Sequence, residues 1–175
     1  MSLTDHAPDL ATSAPLFSVR KLAIMAVFIA LSAVGSLVKI PSPLGTVGLD
    51  SAPGFFAALA FGGWVGFIVI AVGHLLASAI VGFPLTLPVH LAIAIGMGLC
   101  ALAFCWLGKR GLVWLAGAVV ATALLNSFGL GLIVLPIGGW GMYLASVPSL
   151  LIGAVVNLVI AAVAYWAVRD SALLH

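Results

Sequence analysis

Long apolar runs separated by short polar connections dominate this chain. Between Ser51 and Gly108 there is no Asp, Glu, Lys or Arg, and the whole chain holds only six basic and four acidic side chains. A charge at the centre of a bilayer is costly, so runs of this kind are typical of membrane spans. Backbone amides there cannot bond to water, which leaves the helix as their structure. The pattern therefore predicts an all-α, polytopic membrane bundle.

The positions of glycine, proline and charge divide these runs into six spans. The uncharged stretch 52–82 would extend about 46 Å as one helix, well beyond the hydrocarbon thickness of about 30 Å. The Gly62-Gly63-Trp64 step is the expected break, and it leaves a second span too short to cross without help from loop residues. The predicted spans are residues 19–38, 52–62, 64–82, 89–107, 112–134 and 147–168.

The basic residues set the expected orientation of the spans. With the break, five of the six lie on one side of the membrane: Arg20, Lys21, Lys109, Arg110 and Arg169. Lys39 alone faces the other side. Without the break, two basic residues would lie on the cytoplasmic side and four on the outer side. The positive-inside rule favours the first arrangement, with both termini in the cytoplasm. We expect residues 1–18 to form a flexible cytoplasmic tail and residues 19–170 to form one membrane domain, whose first span is an uncleaved anchor.

Polar side chains in or near the spans are the candidates for ligand contact, because a polar group inside a bilayer is costly. Eight are candidates: Lys39, His74, Thr86, His90, Asn126, Trp140, Tyr143 and Asn157. The set is mostly neutral and partly aromatic. It suits a flat, uncharged ligand that stacks on Trp140 or Tyr143 and whose hydroxyl groups bond to the asparagines or to His90.

Each candidate also has a structural interpretation that the sequence leaves open. The two asparagines could join spans five and six, and the two histidines could bond to a neighbouring helix or cap span four. The tryptophan and tyrosine could be interfacial anchors. Lys39 and Asp50 flank the first outward loop, where they could form an ion pair that fastens the loop or could act as a gate.

A face of small residues runs along the first span. Ala23, Ala26, Ala30 and Ala33 fall within an arc of about 80° on a helix. Small side chains let another helix approach closely, which is how helices associate in lipid. The face could pack inside this bundle or could form a docking stripe for another protein.

Motifs for catalysis, metal binding and ATP binding are missing from the sequence. It has no GxSxG, HExxH or GxxxxGK[ST] motif and no paired carboxylates within the spans. Cys100 and Cys105 match neither a CxxC pair nor a metal-ligand spacing, and no basic stripe indicates nucleic-acid binding. We therefore expect a protein that is not an enzyme and that needs no cofactor or metal.

Several segments resemble the substrate-binding S components of energy-coupling factor (ECF) vitamin transporters. Ala26-Val-Phe-Ile-Ala30 looks like the AxxxA motif of their first helix. Gly48-Leu-Asp-Ser-Ala-Pro-Gly-Phe-Phe-Ala-Ala-Leu-Ala-Phe-Gly62 and Gly73-His74-Leu-Leu are similar to their second and third helices. Gly82-Phe-Pro-Leu-Thr-Leu-Pro88 resembles the outward loop before their fourth helix. The resemblance covers nearly the whole chain, from about Arg20 to Asp170.

The resemblance implies a subunit of a prokaryotic inner membrane that binds a vitamin from outside with high affinity. It implies docking, through the alanine face of the first helix, on a transmembrane coupling subunit that two cytoplasmic ATPases drive. Within the family, Ile40-Pro-Ser-Pro-Leu-Gly-Thr46 and the segment from Gly82 to His90 look most like the group assigned to cobalamin precursors such as α-ribazole.

A small secondary transporter driven by protons or sodium is the main alternative. That class usually places carboxylates in the membrane to carry the coupling ion. This chain has no Glu and its Asp residues lie outside the predicted spans, which leaves His74 as the proton carrier that such a mechanism would need. A structural assembly factor, the third possibility, would bind no small molecule tightly.

Overall fold

Helices form nearly all of the computed structural model, which describes residues 18–42 and 45–171. The helices are α1 (Val19–Gly35), α2 (Ala52–Phe61), α3 (Gly63–Ile80), α4 (Leu87–Gly108), α5 (Leu112–Leu124) and α6 (Leu135–Val168). A π-helical turn (Leu125–Gly129) and a 3₁₀ turn (Leu130–Val134) connect α5 to α6. Apart from residue 18, the predicted cytoplasmic tail lies outside the described residues.

The fold is of the helical membrane type that the apolar runs predict. Within the described part of the chain, three helical stretches are long and apolar enough to cross a membrane: Gly63–Ile80, Leu87–Gly108 and Leu112–Val168. The ten-residue α2 is a shorter apolar helix, and α1 has 17 residues. Large apolar side chains cover the outer surface, as lipid contact requires.

The predicted break after the second span is confirmed. Gly62 separates α2 from α3 with φ 112° and ψ 151°, a conformation that side chains rarely adopt. The two helices then pack closely, because a Cβ on Gly66 would lie 2.5 Å from Ala58 Cα. A Cβ on Gly54 would lie 2.6 Å from Ile70 Cβ. Glycine thus permits both the turn and the contact between α2 and α3.

The predicted start of the sixth span, at residue 147, is wrong. The chain turns at Gly139, whose φ of 62° and ψ of −164° interrupt the helical stretch, and helix continues from there through Pro148 to Val168. Leu112 at the start of α5 and Trp166 near the end of α6 line one groove, so the two helices are antiparallel. Proline indicated a boundary, but membrane helices tolerate it where other groups satisfy the freed carbonyls.

Basic side chains collect at one end of the bundle, which we call the basic end. Met25 near the start of α1 packs with Val65 near the start of α3. Gly108 at the end of α4 contacts Leu59 and Leu115, from the end of α2 and the start of α5. These contacts place five basic residues at the same end: Arg20, Lys21, Lys109, Arg110 and Arg169.

A short β-hairpin marks the opposite end, which we call the hairpin end. Strands β1 (Lys39–Ser42) and β2 (Gly45–Gly48) pair antiparallel between α1 and α2, with Lys39 opposite Gly48. The Leu49 N–H donates to the Gly35 carbonyl at 3.0 Å, which returns the chain to the end of α1. The all-α prediction included no strand here, so the hairpin is an exception to it.

Candidate functional site

Two histidines and a serine meet at the hairpin end, where α3 ends and α4 begins. His74 and Ser78 are four residues apart on α3, so they share one face of that helix. The short connection to α4 brings His90 against them. His90 Nδ1 lies 3.2 Å from His74 Nε2 and 2.9 Å from Ser78 Oγ, and Ser78 Oγ lies 3.3 Å from His74 Nε2. The carboxylate Oδ2 of Asp50 lies 4.0 Å from His74 Nδ1. We call the four residues Asp50, His74, Ser78 and His90 the histidine cluster.

The partners of the two imidazoles assign their tautomers. The Leu85 N–H donates to His90 Nε2 at 3.4 Å, so the proton of a neutral His90 lies on Nδ1. That proton is directed at Ser78 Oγ and His74 Nε2. His74 Nε2 then acts as an acceptor, and its own proton lies on Nδ1, facing Asp50. A continuous polar chain therefore runs from Asp50 at the start of α2 to the α3–α4 connection.

The α3–α4 connection has an unusual backbone. Phe83 and Thr86 have φ values of 50° and 77°, a left-handed region that only glycine enters freely. The Phe83 N–H donates to the Ser78 carbonyl at 2.8 Å, and the Phe83 ring packs edge-on against His90 at 5.6 Å. Such backbone persists where surrounding contacts hold it, and it concentrates at ligand-binding segments.

Asp50 is held in a low-polarity setting outside the helices. Burial raises the pKa of its carboxyl group, while backbone N–H groups and the charge of Lys39 oppose that rise. Lys39 itself is exposed. Among the described residues no ion pair forms between the two, and the loop-fastening pair, one of two roles that the sequence left open, is replaced by the approach of Asp50 to His74.

Asn157 joins α6 to the start of α2. Its Oδ1 accepts from the Ala52 N–H at 2.8 Å, and its Nδ2 donates to the carbonyls of Gly48 and Gly153 at 3.1 and 2.9 Å. The side chain is only 1% exposed. Asn157 is thus an interhelical link, as one interpretation of the sequence held, but its partner is the segment before α2 rather than span five.

An aromatic corner lies where α5 passes into α6. Tyr143 is buried and donates its hydroxyl to the Phe128 carbonyl in the π-helical turn at 3.2 Å. The Trp140 ring stands edge-on to Tyr143 at 5.6 Å and is 64% exposed. Asn126 is half-buried in the same turn. A π-helical turn widens the helix and often occurs at functional sites.

The eight sequence candidates thus fall into two groups and three separate residues. His74 and His90 meet directly, and Trp140, Tyr143 and Asn126 lie at the aromatic corner. Thr86 and Lys39 are exposed on the two connections at the hairpin end. Asn157 lies beneath the first of these connections.

Two members of the histidine cluster, Ser78 and Asp50, were not predicted as site residues from the sequence. The four-residue spacing of Ser78 from His74 was the available signal for Ser78. Asp50 precedes α2 by two residues, and only the packing of that connection against α3 brings it to His74. No group of three or more His, Cys, Asp or Glu residues is placed to hold a metal ion in the described ranges.

The alanine face of α1 is largely open. Ala23, Ala26 and Ala30 are exposed and Ala33 is half-buried, whereas Met25 and Ser32 on the other face are buried. Packing inside this bundle therefore does not account for the first three alanines.

Comparisons with known proteins agree with this architecture. A family model described as "ECF-type riboflavin transporter, S component" matches residues 16–170. A solved chain described as "Structure and mechanism of the S component of a bacterial ECF transporter" superposes with a TM-score of 0.63 at 18% sequence identity. The match covers 86% of this chain and 96% of that chain, and at this identity it shows a shared fold. A search of curated proteins finds no significant match.

Proposed function

The chain belongs to the ECF-type riboflavin transporter S component family, and from that premise we propose that it is the substrate-binding subunit of an ATP-driven vitamin importer. The family match over residues 16–170 is the observation that carries this proposal. The chain would supply the binding site and leave ATP hydrolysis to partners, a transmembrane coupling subunit and two cytoplasmic ATPases.

The proposed subunit crosses a prokaryotic inner membrane six times. Helices α1 to α4, α5 with the turns that follow it, and α6 beyond Gly139 are the six spans. The short α2 crosses with help from the segment before it. The clustering of five basic residues at one end supports a cytoplasmic basic end, and the proposal includes cytoplasmic termini. The hairpin end then faces outward, toward incoming ligand.

The ligand site of this proposal lies at the hairpin end. Trp140 is the stacking surface, since its ring is exposed beside the buried Tyr143. Asn126, Thr86 and the histidine cluster supply hydrogen-bonding groups. Lys39 acts from the hairpin as a gate residue. Tyr143 and Asn157 position this end through their bonds to the π-helical turn and to the start of α2.

The ligand is a dimethylated fused heteroaromatic ring that carries a hydroxylated, sugar-derived group. Riboflavin, the vitamin in the description of the matching family model, has this chemistry. α-Ribazole, to which the outer loops point by resemblance, has it too. A mostly neutral site with one exposed tryptophan suits the common part of both molecules.

Mass spectrometry of small molecules released from the denatured, detergent-purified protein tests this proposal. We expect one stoichiometric compound of the stated chemistry, whose mass distinguishes riboflavin from α-ribazole. Titration of the ligand-free protein should then show about threefold to tenfold weaker binding for Trp140→Ala. Trp64→Ala is the matched control, because Trp64 is equally exposed, at 65%, but lies near the basic end. Release of lipid alone, with no binding of either compound, would contradict the proposal.

A further inference from the structure

An apolar groove runs between α5 and α6 at the basic end, far from the histidine cluster. It has a volume of about 490 Å³, and all nine side chains that line it are apolar. On α5 it extends from Leu112 to Val119, about 10 Å along the helix axis. Val163 and Trp166 form part of the opposite wall on α6. Both Leu112 and Val163 are exposed, so the groove opens toward the surrounding lipid.

Cationic side chains flank the end of this groove. Arg169 lies over Trp166, with its Cζ 3.4 Å from the ring centroid, and Trp166 lines the groove. Arg110 precedes Leu112 by two residues and lies 3.9 Å from the Trp106 ring centroid and 5.4 Å from that of Trp114. Cation–π contacts of this kind hold guanidinium groups in place while their N–H groups still reach outward.

Little negative charge opposes these cations. Of the acidic residues in the described ranges, only Asp170 lies at the basic end. It pairs with Arg169 Nε at 3.2 Å, and its side chain is 85% exposed. Lys109, next to Arg110, adds a further exposed cation. The apolar groove therefore ends beneath a net positive patch.

We propose that this groove is a binding site for one anionic phospholipid. An acyl chain lies along the apolar wall between α5 and α6, and the headgroup phosphate bonds to Arg110 and Arg169. Guanidinium groups bind phosphate through paired, charge-assisted hydrogen bonds. Basic pockets between membrane helices on the cytoplasmic side favour anionic headgroups, and tryptophan is enriched at the depth where such headgroups meet the hydrocarbon.

Charge complementarity selects this occupant over an uncharged lipid or an apolar protein helix. Either of these would fill the groove but would leave the positive patch without a counter-charge. The site is separate from the ligand site at the hairpin end, so the two proposals fail independently.

Thermal unfolding of delipidated protein in neutral detergent tests the proposal. Added phosphatidylglycerol should raise the midpoint, whereas phosphatidylcholine should not. In Arg110→Gln/Arg169→Gln protein the apparent affinity for phosphatidylglycerol should fall about tenfold. Arg20→Gln is the control, because Arg20 carries the same charge at the same end but belongs to α1, which contributes no residue to the groove. The variants should keep the vitamin affinity of the parent protein.

A second variant tests the groove rather than the charge. Ala116 is exposed and lines the groove, so Ala116→Trp should fill it and remove the response to phosphatidylglycerol. Val120→Trp, on the exposed surface of α5 outside the groove, should retain the response. Equal midpoint shifts with the two lipids would overturn the proposal. An equal loss of phosphatidylglycerol affinity in Arg20→Gln would also overturn it, as would a full midpoint shift with inorganic phosphate alone.

Discussion

Asn157 lies fully inside the bundle, and the protein itself engages its amide oxygen and its amide N–H groups. Replacement by alanine would leave the Ala52 N–H and two carbonyls buried without this partner. We expect Asn157→Ala to lose about 1–3 kcal/mol of stability and to weaken ligand binding, because the segment before α2 loses its link to α6. Thermal unfolding in detergent and ligand titration measure the two effects. Asn126→Ala, at a half-buried position, should leave the unfolding midpoint nearly unchanged, and equal losses in both variants would contradict this role.

Asp50 makes stability depend on pH in a defined direction. Burial raises its pKa in the folded protein above the unfolded value of about 3.9. In the window between the two values the folded state binds more protons, so stability falls as pH rises and becomes level above the folded pKa. Asp50→Asn has nearly the same shape and cannot ionise. We expect that the stability of this variant does not fall in this way as pH rises. The variant should also be more stable than the parent protein at neutral pH.

Unfolding midpoints in detergent between about pH 4 and pH 8 check this expectation. The difference between the parent protein and Asp50→Asn isolates Asp50 from its neighbours His74 and Lys39. Asp170→Asn is the control, since Asp170 is largely exposed and should not alter the profile. If Asp50→Asn shows the same pH profile as the parent protein, the buried carboxyl group does not control it.

At the scale of elements, α2 and α3 depend on a close contact. Gly66 leaves no room for a side chain, because a Cβ there would lie 2.5 Å from Ala58 Cα. We expect Gly66→Ala to lose about 1–3 kcal/mol by overpacking. Gly117→Ala on α5 is the matched control, since a Cβ there meets nothing within 4 Å, and it should be neutral or gain up to about 1 kcal/mol. Similar unfolding midpoints for the two variants would show that the contact is looser than the structure has it.

The exposed alanine face of α1 is the proposed docking surface for the coupling subunit. A large side chain there would keep the partner helix away without entering this bundle. We expect Ala26→Trp and Ala30→Trp to bind ligand normally and to block uptake by cells that carry the complete transporter. Val120→Trp, on the exposed surface of α5, controls for a bulky substitution and should transport normally. Normal uptake in both alanine variants would exclude this face as the docking surface.

At the scale of the whole molecule, the sequence predicted the features that a bilayer imposes. Apolar length and charge position located the helices, and the Gly62 break followed from a run too long for one span. The turn at Gly139 and the continuation of helix through Pro148 were missed, because glycine and proline mark several kinds of irregularity. In the site, bonding of His74 to a neighbouring helix was one interpretation that the sequence left open, and His74 does lie 3.2 Å from His90 on α4. Its approach to Asp50 depends on loop packing, which no local pattern encodes.

The proposed orientation of the whole molecule rests on the separation of its charges. Five basic residues lie at one end, and Lys39 and Asp50 lie at the other. If the basic end is cytoplasmic, Lys39→Cys should react with a membrane-impermeant maleimide added to intact spheroplasts. Ser171→Cys should react only after the membrane is permeabilised. The native Cys100 and Cys105 are buried and should give little background. The reverse pattern would invert the proposed topology, and the proposed ligand site would then have to be reassigned to the cytoplasmic side of the membrane.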